Sequence, residues 1–173
     1  MFAVANTRVV RRSAALMEMS QKPYGANFTF KEHGACSSKS AARLATFGLI
    51  AAFLIISTPL KHLVRRFLPK PGEGPSTEIQ EKGWFKGVFI AEAEDGEKQV
   101  STIYGDGDPG YKTTAKFICE SALCLVKSDG YLENTNKGGV LTTATGLGDH
   151  LIKRLKNADI LFEGPEKIAK TIT

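Results

Sequence analysis

The rhythm of apolar and polar positions changes several times along the chain. Seventeen residues from Leu44 to Leu60, LATFGLIAAFLIISTPL, carry no charge between Arg43 and Lys61. As a helix this run rises about 25 Å, the short end of what crosses a hydrocarbon core of about 30 Å. A small domain has little protein to surround such a helix on every side, so the run predicts membrane contact. The candidate contacts are Leu44, Phe47, Leu49, Ile50, Phe53, Leu54, Ile55, Ile56 and Leu60. The next stretch, LKHLVRRFL, places Leu60, Leu63, Val64, Phe67 and Leu68 at helical spacing on one face. Lys61, Arg65 and Arg66 fall on the other face, as a lipid headgroup zone requires. Basic residues after the run slightly outnumber those before it, which puts the C-terminal part on the cytoplasmic side. Pro59 and the short length keep a hairpin or in-plane helix open beside a spanning one.

Flanking segments show weaker patterns. Residues 1 to 21 are basic and acid-poor, with Val4, Val9, Ala15 and Leu16 as the expected stripe. They read either as a transit peptide or as a surface helix. Phe28 and Phe30 alternate with polar neighbours in YGANFTFKEH and predict a short strand. The sequon Asn27-Phe28-Thr29 reads as a chance match. KPGEGPST, residues 70 to 77, reads as a linker, with two Pro and two Gly.

Beyond the linker the period shortens to two. Trp84–Ala93 and Lys98–Tyr104 alternate around Glu94-Asp95-Gly96 and predict an antiparallel hairpin. From Tyr111 the period lengthens to a helix with Tyr111, Ala115, Ile118, Ala122 and Leu125 on one face. A polar loop, SDGYLENTNKGG, precedes a second helix from about Gly146 to Asn157, with Leu147, Leu151, Ile152 and Leu155 inward. Ile160–Phe162 closes the pattern as a strand. The order β-β-α-α-β predicts an open α+β layer, an antiparallel sheet with packed helices plus the apolar membrane-associating helix. The expected divisions are 1–40, 41–69, a linker at 70–80, a C-terminal domain at 81–163 and a tail at 164–173.

Charge sharpens that division. Residues 1–74 hold eleven Lys/Arg and three Asp/Glu, a balance of +8; residues 75–173 hold twelve and fifteen, a balance of −3. The first part suits an anionic partner and the second a solvated domain. Cys36, Cys119 and Cys124 form no CxxC pair, and Cys119 and Cys124 read as small core residues on the first C-terminal helix. His33, His62 and His150 have no partners at metal-ligand spacing. No metal site and no nucleic-acid partner are expected.

The stretch Gly105-Asp-Gly-Asp-Pro-Gly110 has the spacing of a dinucleotide-binding loop. Its context does not fit one. The preceding strand belongs to a hairpin, and Glu133, the acid some 20 residues on, lies in the polar loop rather than on a returning strand. Asp106 and Asp108 would repel a pyrophosphate. A cap explains the residues better: Asp108 as N-cap, Pro109 at the first helical position, Gly105 and Gly107 in the turn.

GDPGYKTTAKFICESALCL and GGVLTTATGLGDHLIKRLKNADILFE together resemble the C-terminal part of the saccharopine dehydrogenase-like oxidoreductases. The first family motif falls on Asp108, Pro109, Gly110, Tyr111, Thr114, Ala115, Lys116, Glu120, Ala122 and Leu123. The second falls on Gly138, Gly139, Val140, Leu141, Thr142 and Ala144. TRVVRRSAAL resembles a family segment that follows the nucleotide domain. Phe117 stands where the family has Met, and Thr143 where it has Pro. The family's nucleotide-binding domain precedes everything matched, so the Arg-rich start reads as an internal helix and residues 1–40 as a remnant of that domain. Met1 then reads as an internal methionine of a truncated product.

The resemblance implies an oxidoreductase-like protein linked to lipid or glycolipid metabolism, on lipid droplets, mitochondria or another intracellular membrane. Its bacterial relatives include enoyl reductases acting on lipid precursors. It implies NAD(P) for full-length members and no cofactor site in this chain, with a nucleotide-binding domain supplied by a missing segment or another chain. A non-enzymatic membrane or lipid-droplet adaptor is the alternative. A lipid surface and a second copy of the chain are the other expected partners. No catalytic residue stands out; Tyr111 and Lys112, at a Gly-rich turn, are candidates for lining a substrate cleft.

Overall fold

The computed structural model describes residues 2–67, 70, 72–127 and 139–167. The chain divides into two compact units, one of Lys31–Pro75 with the first residues of the chain, the other of Val4–Phe30 with Ser76 onward. Leu68, Glu133, Gly138, most of the polar loop and the end of the tail lie outside the described residues.

The first unit is built on helix α2, Lys39–Ser57. Ser38 starts it by accepting a hydrogen bond from the Ala41 amide at 3.1 Å. Pro59 cannot continue it, and the Thr58 amide turns back to the Ile55 carbonyl at 3.3 Å. The helix begins five residues before the apolar run, so Lys39 and Arg43 belong to its first turns. None of its residues is buried. A short helix α3, Lys61–Val64, and a 3-10 turn, Arg65–Phe67, follow.

The second unit holds a three-stranded antiparallel sheet in the order β1-β2-β3. β1 is Trp84–Glu92, β2 Lys98–Asp106 and β3 Ile160–Lys167. The hairpin forms around Asp95, whose carboxylate accepts from the Glu97 amide at 2.9 Å. Gly96 takes φ +80°, a conformation that favours glycine. Trp84 pairs with Asp106 and Glu92 with Lys98, while Ile103 of β2 pairs with Phe162 of β3. The α+β class follows from this sheet and the helices α5, Lys112–Lys127, and α7, Gly148–Asn157. The core lies between those helices and one face of the sheet. Cys124, Leu147, Leu151, Leu155 and Ile160 are buried, with Phe85, Ile103, Phe117 and Phe162 packed around them.

Several elements differ from the sequence pattern. YGANFTFKEH forms no strand. No sheet strand pairs with it, and the Phe28 amide returns to Gly25 at 3.4 Å in a turn. Asn27 donates to the Glu94 carboxylate at 2.9 Å. The end of the linker is helical: α4 spans Thr77–Lys82, and the Ser76 hydroxyl accepts from the Ile79 amide at 3.3 Å. The second C-terminal helix, α7, forms as expected, and an additional short helix α6, Thr143–Gly146, precedes it. A capping box between Thr142 and Thr145 starts α6. β3 runs past Phe162 to Lys167.

The inward face of two helices is also corrected. α1, Phe2–Met19, buries Ser13 and leaves Val4 and Val9 exposed. Its covered side is Thr7, Val10, Ser13, Ala14 and Met17, with Leu16 of the expected stripe also partly covered. The Ser13 hydroxyl lies 2.8 Å from the Thr142 hydroxyl, and Arg12 donates to the Val140 carbonyl at 3.2 Å. On α5 the expected face of Tyr111, Ala115, Ile118, Ala122 and Leu125 points to solvent, and Cys119 is exposed. Thr113, Phe117, Glu120, Ser121 and Cys124 turn inward instead. These polar side chains tolerate cover because they are bonded. Thr113 donates to the Gly107 carbonyl at 3.0 Å, Ser121 to the Phe117 carbonyl at 2.7 Å, and Glu120 pairs with Arg154 of α7 at 2.7 Å. Ile152, placed inward by pattern, is 38% exposed.

Gly105 sits inside β2, where a Cβ would lie 2.4 Å from Phe85 Cε1 and 2.9 Å from Ile160 Cδ1. Gly105→Ala is therefore expected to lower stability by about 1–3 kcal/mol, read from urea unfolding midpoints. Leu155→Ala is expected to cost about 2–5 kcal/mol through a cavity in the same core.

Candidate functional site

The segment that resembles a cofactor loop is shared between strand and turn. Gly105 and Asp106 end β2, so Gly105 does not make the turn as the sequence suggested. Gly107 does, at φ +104°. α5 begins at Lys112, which leaves Pro109 in the turn before the helix rather than in its first helical position. The Asp108 carboxylate accepts from the Tyr111 amide at 2.7 Å, an Asp-Pro-Gly-Tyr turn leading into the helix.

The backbone amides of Gly107 and Asp108 in this turn are already engaged. Gly107 donates to the Gly83 carbonyl at 2.6 Å and Asp108 to the Gln80 carbonyl at 2.8 Å, both in the α4–β1 corner. Gly83 lies so close that a Cβ there would stand 2.6 Å from the Asp108 Cα. The turn thus ties α4, β2 and α5 together. Lys112 pairs with Glu81 of α4, and its stem lies over Gly107. Tyr111 is half-exposed. Neither residue lines either of two shallow clefts among the described residues. One of these lies along α4, at Glu78, Ile79, Lys82 and Gly83. The other, of about 190 Å³, lies between α5 and α7 among Cys124, Lys127, His150, Lys153 and Arg154. Lys127, Lys153 and Arg154 give it a cationic wall, partly balanced by Glu120 on Arg154. The sequence pattern did not single it out, because its residues come from two helices at no fixed spacing.

The sheet face opposite the core carries a second cluster. Trp84 stacks on Tyr104 with ring centroids 6.4 Å apart, and the Tyr104 hydroxyl donates to Asp106 at 2.5 Å. That hydrogen bond, then burial and the carboxylate charge, raise the Tyr104 pKa above its ordinary 10.0. The alternation of β2 puts Tyr104 and Asp106 on one side, but only the strand's continuation to Asp106 brings their side chains together. Among the described residues no three His, Cys, Asp or Glu side chains gather as a metal site.

All the candidate lipid contacts on α2 are exposed, Ile55 only partly, with Leu44 at 75% and Phe47 at 70%. Leu60, Leu63, Lys61, Arg65 and Arg66 are exposed too, and Val64 is partly covered. Thr46, one of three hydroxyl residues within the run, is satisfied internally, donating to the Ala42 carbonyl at 2.8 Å.

Comparison with known proteins follows from most of the chain. The chain is similar to trans-acting enoyl reductases of mycobacteria. A Mycobacterium tuberculosis protein of that name is 33% identical over 165 residues, 91% of this chain and 38% of the relative. A Mycobacterium ulcerans protein of that name is 30% identical over 164 residues, 90% of this chain and 38% of the relative. Another Mycobacterium tuberculosis protein, given the same name provisionally, is 33% identical over 171 residues, 93% of this chain and 39% of the relative. The chain therefore spans about two-fifths of the length of the curated relatives it matches. No family model matches, and no solved structure matches.

These names correct the family expectation. The relatives are called enoyl reductases, not saccharopine dehydrogenase-like proteins, and nothing in their names supports a lipid droplet, a mitochondrion, glycolipid synthesis or a non-enzymatic adaptor. The quoted motifs explain the error. Asp108 to Tyr111 is a turn held by an aspartate, and Thr142 to Thr145 is a capping box. Such features report helix starts and do not separate one oxidoreductase group from another.

Two measurements check the geometry of this region. Asp108→Ala removes the carboxylate from the Tyr111 amide and is expected to cost about 1 kcal/mol in thermal or urea unfolding. For Tyr104, ultraviolet titration of the phenol is expected to show ionisation above pH 10, returning toward 10.0 in Asp106→Asn. Because the folded-state pKa is raised, whatever the pair adds to stability is present below pH 10 and is lost as pH climbs through the folded value.

Proposed function

We propose that this chain forms the α+β portion of an enoyl reductase, the portion that does not carry the nicotinamide nucleotide. The observation that carries the reading is the 33% identity to the mycobacterial relatives across nine-tenths of the chain. An enoyl reductase delivers hydride to the β-carbon of a double bond conjugated to a carbonyl, and a proton to the α-carbon. The hydride comes from NAD(P)H, which needs a phosphate-binding loop with free amides.

The turn at GDGDPG offers no such loop in this reading. Its amides at Gly107, Asp108 and Tyr111 donate to protein acceptors, and the negative charges of Asp106 and Asp108 disfavour a phosphate. On this reading, polypeptide corresponding to the remaining three-fifths of the relatives would supply the nucleotide-binding portion. The solvent-facing stripe Tyr111, Ala115, Ile118, Ala122 and Leu125 of α5 supports this reading, since a helix with a second apolar side suits packing against further protein.

NADPH fluorescence titration and a 340 nm assay with an enoyl thioester test the proposal. The chain alone is expected to give neither saturable NADPH binding below millimolar concentration nor turnover. A chain extended to the relatives' full length, or mixed with a polypeptide carrying the remaining portion, is expected to give both. Stoichiometric NADPH binding by the chain alone overturns the division of labour, and an extended protein that binds NADPH yet reduces no enoyl thioester overturns the reaction.

A further inference from the structure

The first unit contains a surface that the reductase reading does not use. α2 is 19 residues long, has no buried residue and is apolar on every side after Arg43. At 1.5 Å per residue the whole helix is about 28 Å long and its uncharged part, Leu44–Ser57, about 21 Å, so it matches a hydrocarbon core of about 30 Å only with Lys39 and Arg43 extending their stems to the headgroups and the bilayer thinning around it. A helix lying in the plane of a membrane keeps one polar face for water. α2 has none along Leu44–Ile56, which favours crossing over lying flat.

Two of its hydroxyls behave as a hydrocarbon environment requires. Thr46 returns its hydroxyl proton to the Ala42 carbonyl at 2.8 Å, and Thr58, at the end of the helix, does the same to Ile55 at 3.1 Å. Neither hydroxyl is left to seek water.

Charge selects the occupant further. Between Glu32 and Glu73 the sequence has six Lys/Arg, namely Lys39, Arg43, Lys61, Arg65, Arg66 and Lys70, and no Asp or Glu. They are confined to the two ends of α2. Four of them follow Pro59, where α3 and the 3-10 turn hold Lys61, Arg65 and Arg66 in the solvent while Leu60 and Leu63 add apolar surface beside them. A second protein molecule covering α2 would meet two like-charged ends. A bilayer with anionic headgroups meets both the apolar middle and the cationic ends.

We infer that residues 39–67 are a bilayer-seated module in which α2 spans the hydrocarbon core. Lys61, Arg65 and Arg66 bind anionic headgroups of the leaflet that α2 reaches at its C-terminal end. The charge excess after Pro59 places that leaflet on the cytoplasmic side.

The test uses the whole chain, made in the presence of vesicles of phosphatidylcholine alone or with one-third phosphatidylserine, then floated on a gradient and washed with high salt and with alkaline carbonate. The protein is expected to float with both and to resist both washes, with stronger uptake by the anionic vesicles at low salt. Lys61→Gln/Arg65→Gln/Arg66→Gln, all at exposed positions, is expected to stay carbonate-resistant while the preference for anionic vesicles falls on the order of a hundredfold. Phe47→Lys/Ile50→Lys is expected to abolish carbonate resistance.

Recovery of the unmodified chain in the soluble fraction, as a monomer or as an oligomer by light scattering, overturns the inference. Release by salt alone overturns the spanning helix. An unchanged lipid preference in the triple variant overturns the headgroup site. Circular dichroism of each variant against the unmodified chain separates these outcomes from unfolding.

Discussion

The close approach of Phe85 and Ile160 over Gly105 is the contact on which the second unit depends. A side chain at that point would push the Phe85 ring and the Ile160 side chain off the core face of β2. With glycine there, Phe85 reaches Phe117 of α5 at a centroid distance of 6.0 Å, and Ile160 becomes fully buried. The helices then close on the sheet through Cys124, Leu151 and Leu155, and the Glu120–Arg154 pair ties α5 to α7 beside them. Interiors packed this tightly make one missing methyl as important as one added.

This core covers one side of a three-stranded sheet. The other side shows Trp84, Val88, Ile90 and Leu161 to solvent, and α5 shows a full helical stripe away from the core. α2, in the first unit, shows apolar surface on all sides. Much of the apolar surface of this chain thus lies outside its own core. Relatives about two and a half times as long, and a helix with cationic ends, give two separate physical uses for such surface.

GDGDPG illustrates how little three glycines say by themselves. Gly105 is there for close packing, Gly107 for a left-handed turn, and Gly110 lies against the Asp108 carboxylate. Three glycines serve three different constraints, and the amides between them are occupied by the α4–β1 corner. The family resemblance drawn from the following residues was too broad for the same reason. Asp-Pro-Gly-Tyr is an answer to the problem of starting a helix, which many proteins share.

Sequence alone determined the features that depend on neighbours along the chain. The hairpin around Glu94-Asp95-Gly96, the helices near 111 and 148, the closing strand at Ile160 and the extent of the apolar run all follow from local periods and turn chemistry. Tertiary structure decided which sides of those elements face inward. α5 has an apolar stripe ideal by spacing, yet it turns Phe117 and Cys124 inward together with a buried Thr113 and half-covered Glu120 and Ser121, because acceptors on Gly107 and Phe117 and the guanidinium of Arg154 satisfy the polar ones. The same holds for Ser13 against Thr142. It also holds for the Phe28 segment, where an alternating pattern found no strand to pair with. A hydropathy pattern measures what a side chain loses in leaving water. It cannot see the distant donor or acceptor that repays the loss, and only the folded chain brings that partner within reach.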